Sequence, residues 1–294
     1  MTTNVSRRTL PQKMVGIALW LAVLGVFAPS LLWITDVAIA RAQVGDAAVV
    51  LLFGLVFLMR DRAEPTRWVL EFSRRTCFFV SGACLAAAAS SVLHQPFLMM
   101  AAMGLLAGGL LLFLFGDDVA GLATGLAVSF SAFTFLAVVS PVADVPLRVF
   151  AGKATMGALD LFGAGAALGF IGDSAKLILM VNGRPFEVAP ECNGFGIISS
   201  CILLACLLAT SRRLRWLDRI LIIALAPLIG LFSNALRIVI IVLLAPAAGS
   251  SGYHIMHEVV GIILFLATLV FIWWLVAGLP ERKTTEPQIK SAIS

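Results

Sequence analysis

The stretch that decides the architecture is Val188-Ala-Pro-Glu-Cys-Asn-Gly-Phe-Gly196, which leads directly into the apolar run Ile197-Ile-Ser-Ser-Cys-Ile-Leu-Leu-Ala-Cys206. The apolar run is typical of a membrane-spanning helix, whereas the segment before it contains Pro, Glu, Asn and Gly. Cys192 therefore lies at the mouth of a predicted span, and Cys201 and Cys206 lie inside it. A cysteine that only fills a core belongs deeper in the run, so we interpret Cys192 as an exposed thiol that a substrate reaches.

The composition indicates an integral membrane protein. Of the 294 residues, 61% are hydrophobic and 13% are charged, and the mean hydropathy is +1.03, far from the values of soluble domains. Continuous apolar runs favour helices over a barrel, whose strands alternate lipid-facing and lumen-facing residues. We predict an all-α polytopic protein with about eight transmembrane helices. They cover residues 14–34, 46–59, 77–94, 97–115, 119–139, 195–210, 219–246 and 257–277.

The basic residues predict the orientation of the chain in the membrane. The formal charge of +5 does not indicate nucleic-acid binding, because the basic residues flank the apolar runs. When the predicted spans are counted alternately, four basic clusters fall on one side, the cytoplasm by the positive-inside rule. These clusters lie near residues 7–13, 60–75, 212–219 and 282–283. Both termini are then cytoplasmic, and residues 140–194 and 247–256 are outside. An alternative interpretation, in which Arg7 and Arg8 begin a twin-arginine export signal, suits a multi-span protein poorly.

The outer segment 140–194 contains two predicted elements, of which the first is an interfacial helix. Five apolar residues share one helical face, and three charged residues lie off it. The apolar residues are Leu147, Phe150, Ala154, Ala158 and Leu161, and the charged residues are Arg148, Lys153 and Asp160. The alternative is a ninth span over residues 154–172, which a charged residue and a high Gly and Ala content disfavour.

The second element is a β-hairpin immediately before the cysteine. Asn182-Gly183 separates two short β-prone runs, residues 177–181 and 184–188, and both turn residues tolerate a positive φ angle. Pro185 lacks a backbone N–H, so the second strand is predicted to be an edge strand. The hairpin would deliver the chain directly to Cys192.

Two residues of the span 219–246 are candidates for function. Arg237 interrupts an apolar run, where a charge costs at least ~2.5–3.5 kcal/mol, so it should face a polar partner or a cavity. At 1.5 Å per residue it lies about 27 Å along the helix from Arg219, in the outer half of the membrane. Asn234, three residues earlier, shares its face. The alternative role for Arg237 is a structural ion pair or a side chain that extends to the interface.

Two histidines lie at the start of the last span, in Tyr253-His-Ile-Met-His257-Glu-Val-Val-Gly261. A neutral imidazole there would accept a thiol proton, and an imidazolium would stabilise a thiolate. The N-terminus of the helix that follows Cys192 would also favour a thiolate. We prefer His257 to His254, because His257 lies in the first turn of a rigid helix and a general base needs fixed geometry. The alternative is a histidine that only faces the membrane interface.

The ordered segments Glu191-Cys-Asn-Gly194, Asn234-Ala-Leu-Arg-Ile-Val239 and His257-Glu-Val-Val-Gly261 resemble the exosortase/archaeosortase family. The resemblance covers about residues 140–277, and the sequence Asn193–Gly196 departs from the family pattern, which indicates a divergent bacterial exosortase. It implies a membrane cysteine transpeptidase or protease whose catalytic residues are Cys192, Arg237 and His257. Asn234, Glu191 and His254 are weaker, supporting candidates.

The resemblance also implies the setting of the reaction. The active site would lie on the periplasmic face of the bacterial inner membrane. The substrates would be exported proteins whose C-terminal tails carry a Pro-containing motif, a hydrophobic helix and a basic cluster, with a glycan or lipid as acceptor. We predict no cofactor, no metal site and no nucleic-acid partner. The alternative function is a transporter or polysaccharide-export component, although no repeat is visible.

The chain is predicted to divide into three regions. Residues 1–139 form an N-terminal five-helix membrane region, and residues 140–277 form the exosortase-like catalytic core. Residues 278–294 form a cytoplasmic tail, which its polar composition predicts to be disordered.

Overall fold

A computed structural model describes most of the chain. The described residues are 10–40, 49–50, 52, 54, 56, 68–171, 176–189, 192–212 and 214–280. Glu191, the N-terminal arginines and most of the predicted cytoplasmic tail lie outside them.

The described chain is mostly helical. In order the helices are α1 (Leu10–Ala40), α2 (Arg74–Leu93), α3 (Pro96–Phe115), α4 (Ala120–Leu161), α5 (Phe195–Ser211) and α6 (Trp216–Ala277). A short 3-10 turn, Asp117–Val119, precedes α4.

The helices support a multi-pass membrane protein. Within the described ranges, four helical stretches are long and apolar enough to cross a membrane. They are Arg74–Leu93, Leu98–Phe115, Trp216–Ala245 and Met256–Ala277. Met14–Pro29 and Phe195–Ser211 are shorter apolar helices. These elements match six of the predicted spans in position, and the total of about eight stays a prediction.

Helix α6 (Trp216–Ala277) folds back on itself and forms a helical hairpin. The hydroxyl groups of Ser233 and Thr268 form a hydrogen bond, yet thirty-five residues of straight helix would separate them by about 52 Å. The helix therefore reverses, and its two arms are the apolar stretches Trp216–Ala245 and Met256–Ala277. The arms coincide with the predicted spans 219–246 and 257–277.

Helix α4 corrects the prediction of a separate interfacial helix. Residues 147–161 are not a separate interfacial helix, because they continue the helix that begins at Ala120. The domain boundary drawn after residue 139 also falls inside this helix. The alternative of a ninth span over 154–172, which the sequence disfavours, is excluded, because α4 ends at Leu161 and a β-strand begins at Ala166.

The buried face of this part of α4 also differs from the predicted one. Ala151, Thr155 and Leu159 are buried, whereas Phe150 and Leu161 of the predicted face are exposed. The reason is tertiary packing, because the buried residues face the β-sheet and the second half of the chain. The apolar periodicity of a single segment carries no information on these partners.

The predicted hairpin is confirmed and extended by one strand. Strands β1 (Ala166–Ile171), β2 (Lys176–Val181) and β3 (Arg184–Glu187) form an antiparallel sheet in that order. The β2–β3 turn is Asn182-Gly183, with φ angles of 50° and 76°, and Pro185 lies on the edge strand as predicted. Strand β1 was missed because its sequence, rich in Ala and Gly, carries little β signal.

Helix α5 lies at the centre of the second half of the molecule. Its residues are buried on almost every face, as expected for a helix that is apolar all round. It packs against α4 on one side and against both arms of α6 on another. Because Cys192 immediately precedes α5, this packing fixes the depth at which the candidate site lies.

Candidate active site

Local hydrogen bonds fix the backbone of residues 192–194, directly before α5. The Cys192 N–H donates to the Ala189 carbonyl at 2.8 Å, and the Asn193 side-chain oxygen accepts from the Phe195 N–H at 2.8 Å. An Asn side chain is among the best acceptors for the free N–H groups at a helix start. Gly194 has a φ of +78°, a conformation that side chains with a Cβ rarely adopt.

Gly194 is also required by a close approach. A Cβ at this position would lie 2.7 Å from the Asn234 side-chain nitrogen, which is closer than atoms in contact can come. The absence of a side chain therefore lets the first arm of α6 reach the cysteine loop. The Asn234 Nδ2 group uses this approach to donate to the Cys192 carbonyl at 2.8 Å.

The sulfur of Cys192 and the imidazole of His257 are in contact. The distance between Cys192 Sγ and His257 Nε2 is 3.8 Å, a hydrogen-bonding distance for sulfur. The two residues come from different elements and are sixty-five positions apart in sequence. This contact is the arrangement needed for proton transfer from a thiol to a base.

The guanidinium of Arg237 packs on Gly261. A Cβ at Gly261 would lie 3.1 Å from Arg237 Nη2 and 3.2 Å from Cζ and Nε. The two arms of α6 run antiparallel, so His257 lies about one turn beyond Arg237 toward the reversal. Asn234 lies about one turn from Arg237 in the opposite direction, away from the reversal. Cys192 contacts both Asn234 and His257, which places it at the depth of Arg237.

Two polar atoms of the site are buried without a hydrogen-bond partner within the described part of the chain. They are the Asn234 Oδ1 acceptor and the Arg237 Nε donor. Asn234 is only 1% exposed, and a buried polar group without a partner costs about 1–3 kcal/mol. A peptide group offers both an N–H and a C=O, so it has the complementary donor and acceptor for these atoms.

The expectation that Cys192 is an exposed thiol is wrong. The residue is 9% exposed and belongs to an apolar cluster with Val188, Ile238, Val239 and Val242. The buried face of strand β2 belongs to the same cluster. The sheet covers the site, which sequence periodicity around the cysteine does not reveal.

The structure brings Cys192 into contact with Asn234 and His257, and it places Arg237 at the same depth, on Gly261. The His254 side chain and the whole of Glu191 lie outside the part of the chain that the structure describes. Sequence reasoning missed the role of Asn193, whose signal was its position two residues before an apolar helix. It also missed Asp144 and Arg148, which form an ion pair at 2.6 Å; their i, i+4 spacing was visible in the sequence.

Comparison with known proteins identifies the family. The family model described as transmembrane exosortase (Exosortase_EpsH) matches residues 33–274. No curated protein matches the chain, and no solved structure does. The match covers most of the chain, including every residue of the site described above, and it confirms the family that the three short motifs indicate. The chain therefore belongs to the transmembrane exosortase family.

Proposed function

We propose that this protein is a membrane cysteine transpeptidase or protease that cleaves the C-terminal sorting tails of exported proteins. The observation that carries the proposal is the 3.8 Å contact between Cys192 Sγ and His257 Nε2. Membership of the exosortase family supports the same chemistry. Arg237, at the depth of the sulfur, supplies the cationic donor that an acyl-transfer site needs.

The first step is proton transfer within the Cys–His pair. His257 in its neutral form accepts the thiol proton at Nε2, which leaves a thiolate beside an imidazolium. The thiolate attacks the carbonyl carbon of the scissile peptide bond, and its electron pair forms the new S–C bond. The carbonyl π electrons move to oxygen and create a tetrahedral oxyanion.

Arg237 stabilises this oxyanion or orients the carbonyl before attack. A single well-placed donor in such a site contributes about 2.7–4 kcal/mol to transition-state stabilisation. When the oxyanion collapses, the C–N bond breaks and the imidazolium of His257 returns its proton to the leaving amine. The products of this half-reaction are the released tail and a thioester on Cys192.

The second half-reaction removes the acyl group from Cys192. An amine or hydroxyl of a glycan or lipid acceptor attacks the thioester in transfer, and water attacks in hydrolysis. His257 accepts the proton of the nucleophile, and the thiol of Cys192 is regenerated. The burial of the sulfur favours transfer, since it limits the access of water to the thioester.

The predicted orientation places this chemistry at the outer face of the inner membrane. The hydrophobic helix of the sorting tail would lie among the spans, and its basic cluster would remain in the cytoplasm. The scissile bond would then lie at the level of the headgroups, beside Cys192. Such a tail positions its own peptide bond, because the helix fixes its depth in the bilayer.

Co-expression with a tailed exported protein tests the function. The wild-type chain should convert the precursor to a shorter form, and Cys192→Ala should leave the precursor intact. Cys77→Ala is the matched control, because Cys77 is an exposed residue of α2 and lies far from the site in sequence. Full cleavage by Cys192→Ala would refute the cysteine mechanism, and no cleavage by wild type of any protein with such a tail would favour the transporter alternative.

A further inference from the structure

A chain of hydrogen bonds connects helix α4 to the loop that carries Cys192. The Arg148 guanidinium donates to Asp144 Oδ2 at 2.6 Å, and the Asn193 Nδ2 group donates to Asp144 Oδ1 at 2.6 Å. Asn193 Oδ1 accepts from the Phe195 N–H at 2.8 Å. Both carboxylate oxygens of Asp144 therefore have a donor, and both ends of the Asn193 amide have a partner.

This chain fixes the orientation of the Asn193 side chain. The amide of an asparagine can rotate and exchange its oxygen and nitrogen, but a carboxylate accepts only from the nitrogen end. Asp144 thus directs the oxygen of Asn193 toward the start of α5, where it accepts from the Phe195 N–H. The bond is charge-assisted, and such bonds are about twice as strong as neutral ones.

Cys192 is held between two such contacts. Asn193, the next residue, donates to Asp144 on α4, and the carbonyl of Cys192 accepts from Asn234 on the first arm of α6. Asn193 is 7% exposed, so water does not readily replace Asp144. The position of the sulfur relative to His257 therefore depends on α4 as well as on α6.

We propose that Asp144 is a positioning residue for the Cys192–His257 pair and that it acts through Asn193. The proposal rests on the proposed function, because it assigns to that pair the proton transfer described above. A displacement of about 1 Å in such a pair lowers a reaction rate about 100-fold. Arg148 orients the carboxylate and compensates its charge at the edge of the site.

The test measures the alkylation of Cys192 by iodoacetamide at pH 7 in the detergent-solubilised full chain, with the modified peptide quantified by mass spectrometry. Wild type should react about 10-fold faster than His257→Ala, because the thiolate is the reactive form and the imidazole generates it. In the Asp144→Ala background, the same His257→Ala substitution should change the alkylation rate less than about 2-fold. The four variants form a double-mutant cycle, which isolates the coupling between Asp144 and His257.

Two further variants separate positioning from general destabilisation. The quantity compared is the ratio of the Cys192 alkylation rate with His257 to the rate with His257→Ala. Asp160→Ala removes a different carboxylate of the same helix, one whose Oδ1 accepts from the Ala166 N–H. This variant should keep the wild-type ratio. The double variant Asp144→Asn with Asn193→Asp exchanges donor and acceptor, and an Asp at position 193 keeps an oxygen that accepts from the Phe195 N–H. It should recover most of the ratio that Asp144→Asn alone loses, and it keeps the test valid if Asp144→Ala does not fold.

The outcomes distinguish this proposal from the proposed function. A wild-type ratio in Asp144→Ala, an equal loss in Asp160→Ala or no recovery in the exchanged pair would overturn the positioning role. A ratio near one in wild type would overturn the Cys–His pair and the positioning role together. A lost ratio in Asp144→Ala, recovered in the exchanged pair, supports positioning even if no tailed protein is cleaved, which would refute the proposed function alone.

Discussion

Gly261→Ala separates the role of Arg237 in chemistry from any role in stability. The added Cβ would lie 3.1 Å from Arg237 Nη2 and 3.2 Å from Cζ and Nε, whereas carbon and nitrogen atoms in comfortable contact lie about 3.5–4.0 Å apart. The guanidinium must therefore move by about 0.5 Å. Gly261 lies inside a helix, where Ala is more favourable than Gly by about 0.8–1.0 kcal/mol.

The expected result is a less active protein that is no less stable. If a displacement of 1 Å costs about 100-fold in rate, a displacement of about 0.5 Å costs about 10-fold, or ~1.4 kcal/mol of transition-state stabilisation. The gain in helix propensity offsets the strain of the contact, so the unfolding midpoint in detergent should remain within about 2 °C of wild type. Cleavage rates of a tailed precursor and thermal unfolding of the purified protein measure the two quantities.

Gly157→Ala is the matched control for this variant. Gly157 is an exposed helical residue of α4, and a Cβ there would have no neighbour within 4 Å. The control has the same gain in helix propensity and should retain wild-type activity. Wild-type activity in Gly261→Ala at equal protein level would refute the reasoning, because it would show that the guanidinium does not need the space above Gly261.

Three other predictions follow from the site and the topology. Gly194→Ala should lower stability by about 1–3 kcal/mol, because a left-handed backbone is unfavourable for Ala, and activity should fall with it; the same two assays measure both. Arg237→Lys should lower the cleavage rate about 10²–10³-fold at unchanged protein level, because a point charge replaces a planar donor group; near-normal cleavage would argue against a directed contact. Reporter fusions at residue 175 should be exported and fusions at residue 214 should stay cytoplasmic; a cytoplasmic reporter at residue 175 would invert the proposed orientation.

Local chemistry explains which parts of the fold could be predicted from the sequence. The predicted Asn182-Gly183 turn is confirmed, because these two residue types tolerate positive φ angles wherever they occur. The ends of α2, α3 and α5 are close to prediction, since apolar length and flanking polar residues determine where a span stops. Three unrelated signals indicated the candidate catalytic residues. Cys192 is a thiol before a helix, Arg237 is a charge inside a span, and His257 is an imidazole at the start of a span. The topology rule then placed all three on one face.

The missed features all depend on contacts between distant segments. Strand β1 has little intrinsic β-propensity and is a strand because it pairs with β2 along its whole length. The burial of Cys192 results from strand β2 and from the first arm of α6, both of which are separated from it in sequence. The contact between Asn193 and Asp144 joins residues forty-nine positions apart. No periodicity within one segment reports such a pairing.

The sequence Asn193-Gly194 meets two requirements that conflict for most residue pairs. The first residue must accept from the Phe195 N–H and at the same time donate to Asp144, which an amide does and a hydroxyl or carboxylate does less well. The second must adopt a positive φ and leave space for Asn234, which only glycine does without strain. The two residues after the cysteine are therefore tied to their partners on α4 and α6. Asn193→Asp should therefore be tolerated only together with Asp144→Asn, because two carboxylates would otherwise face each other.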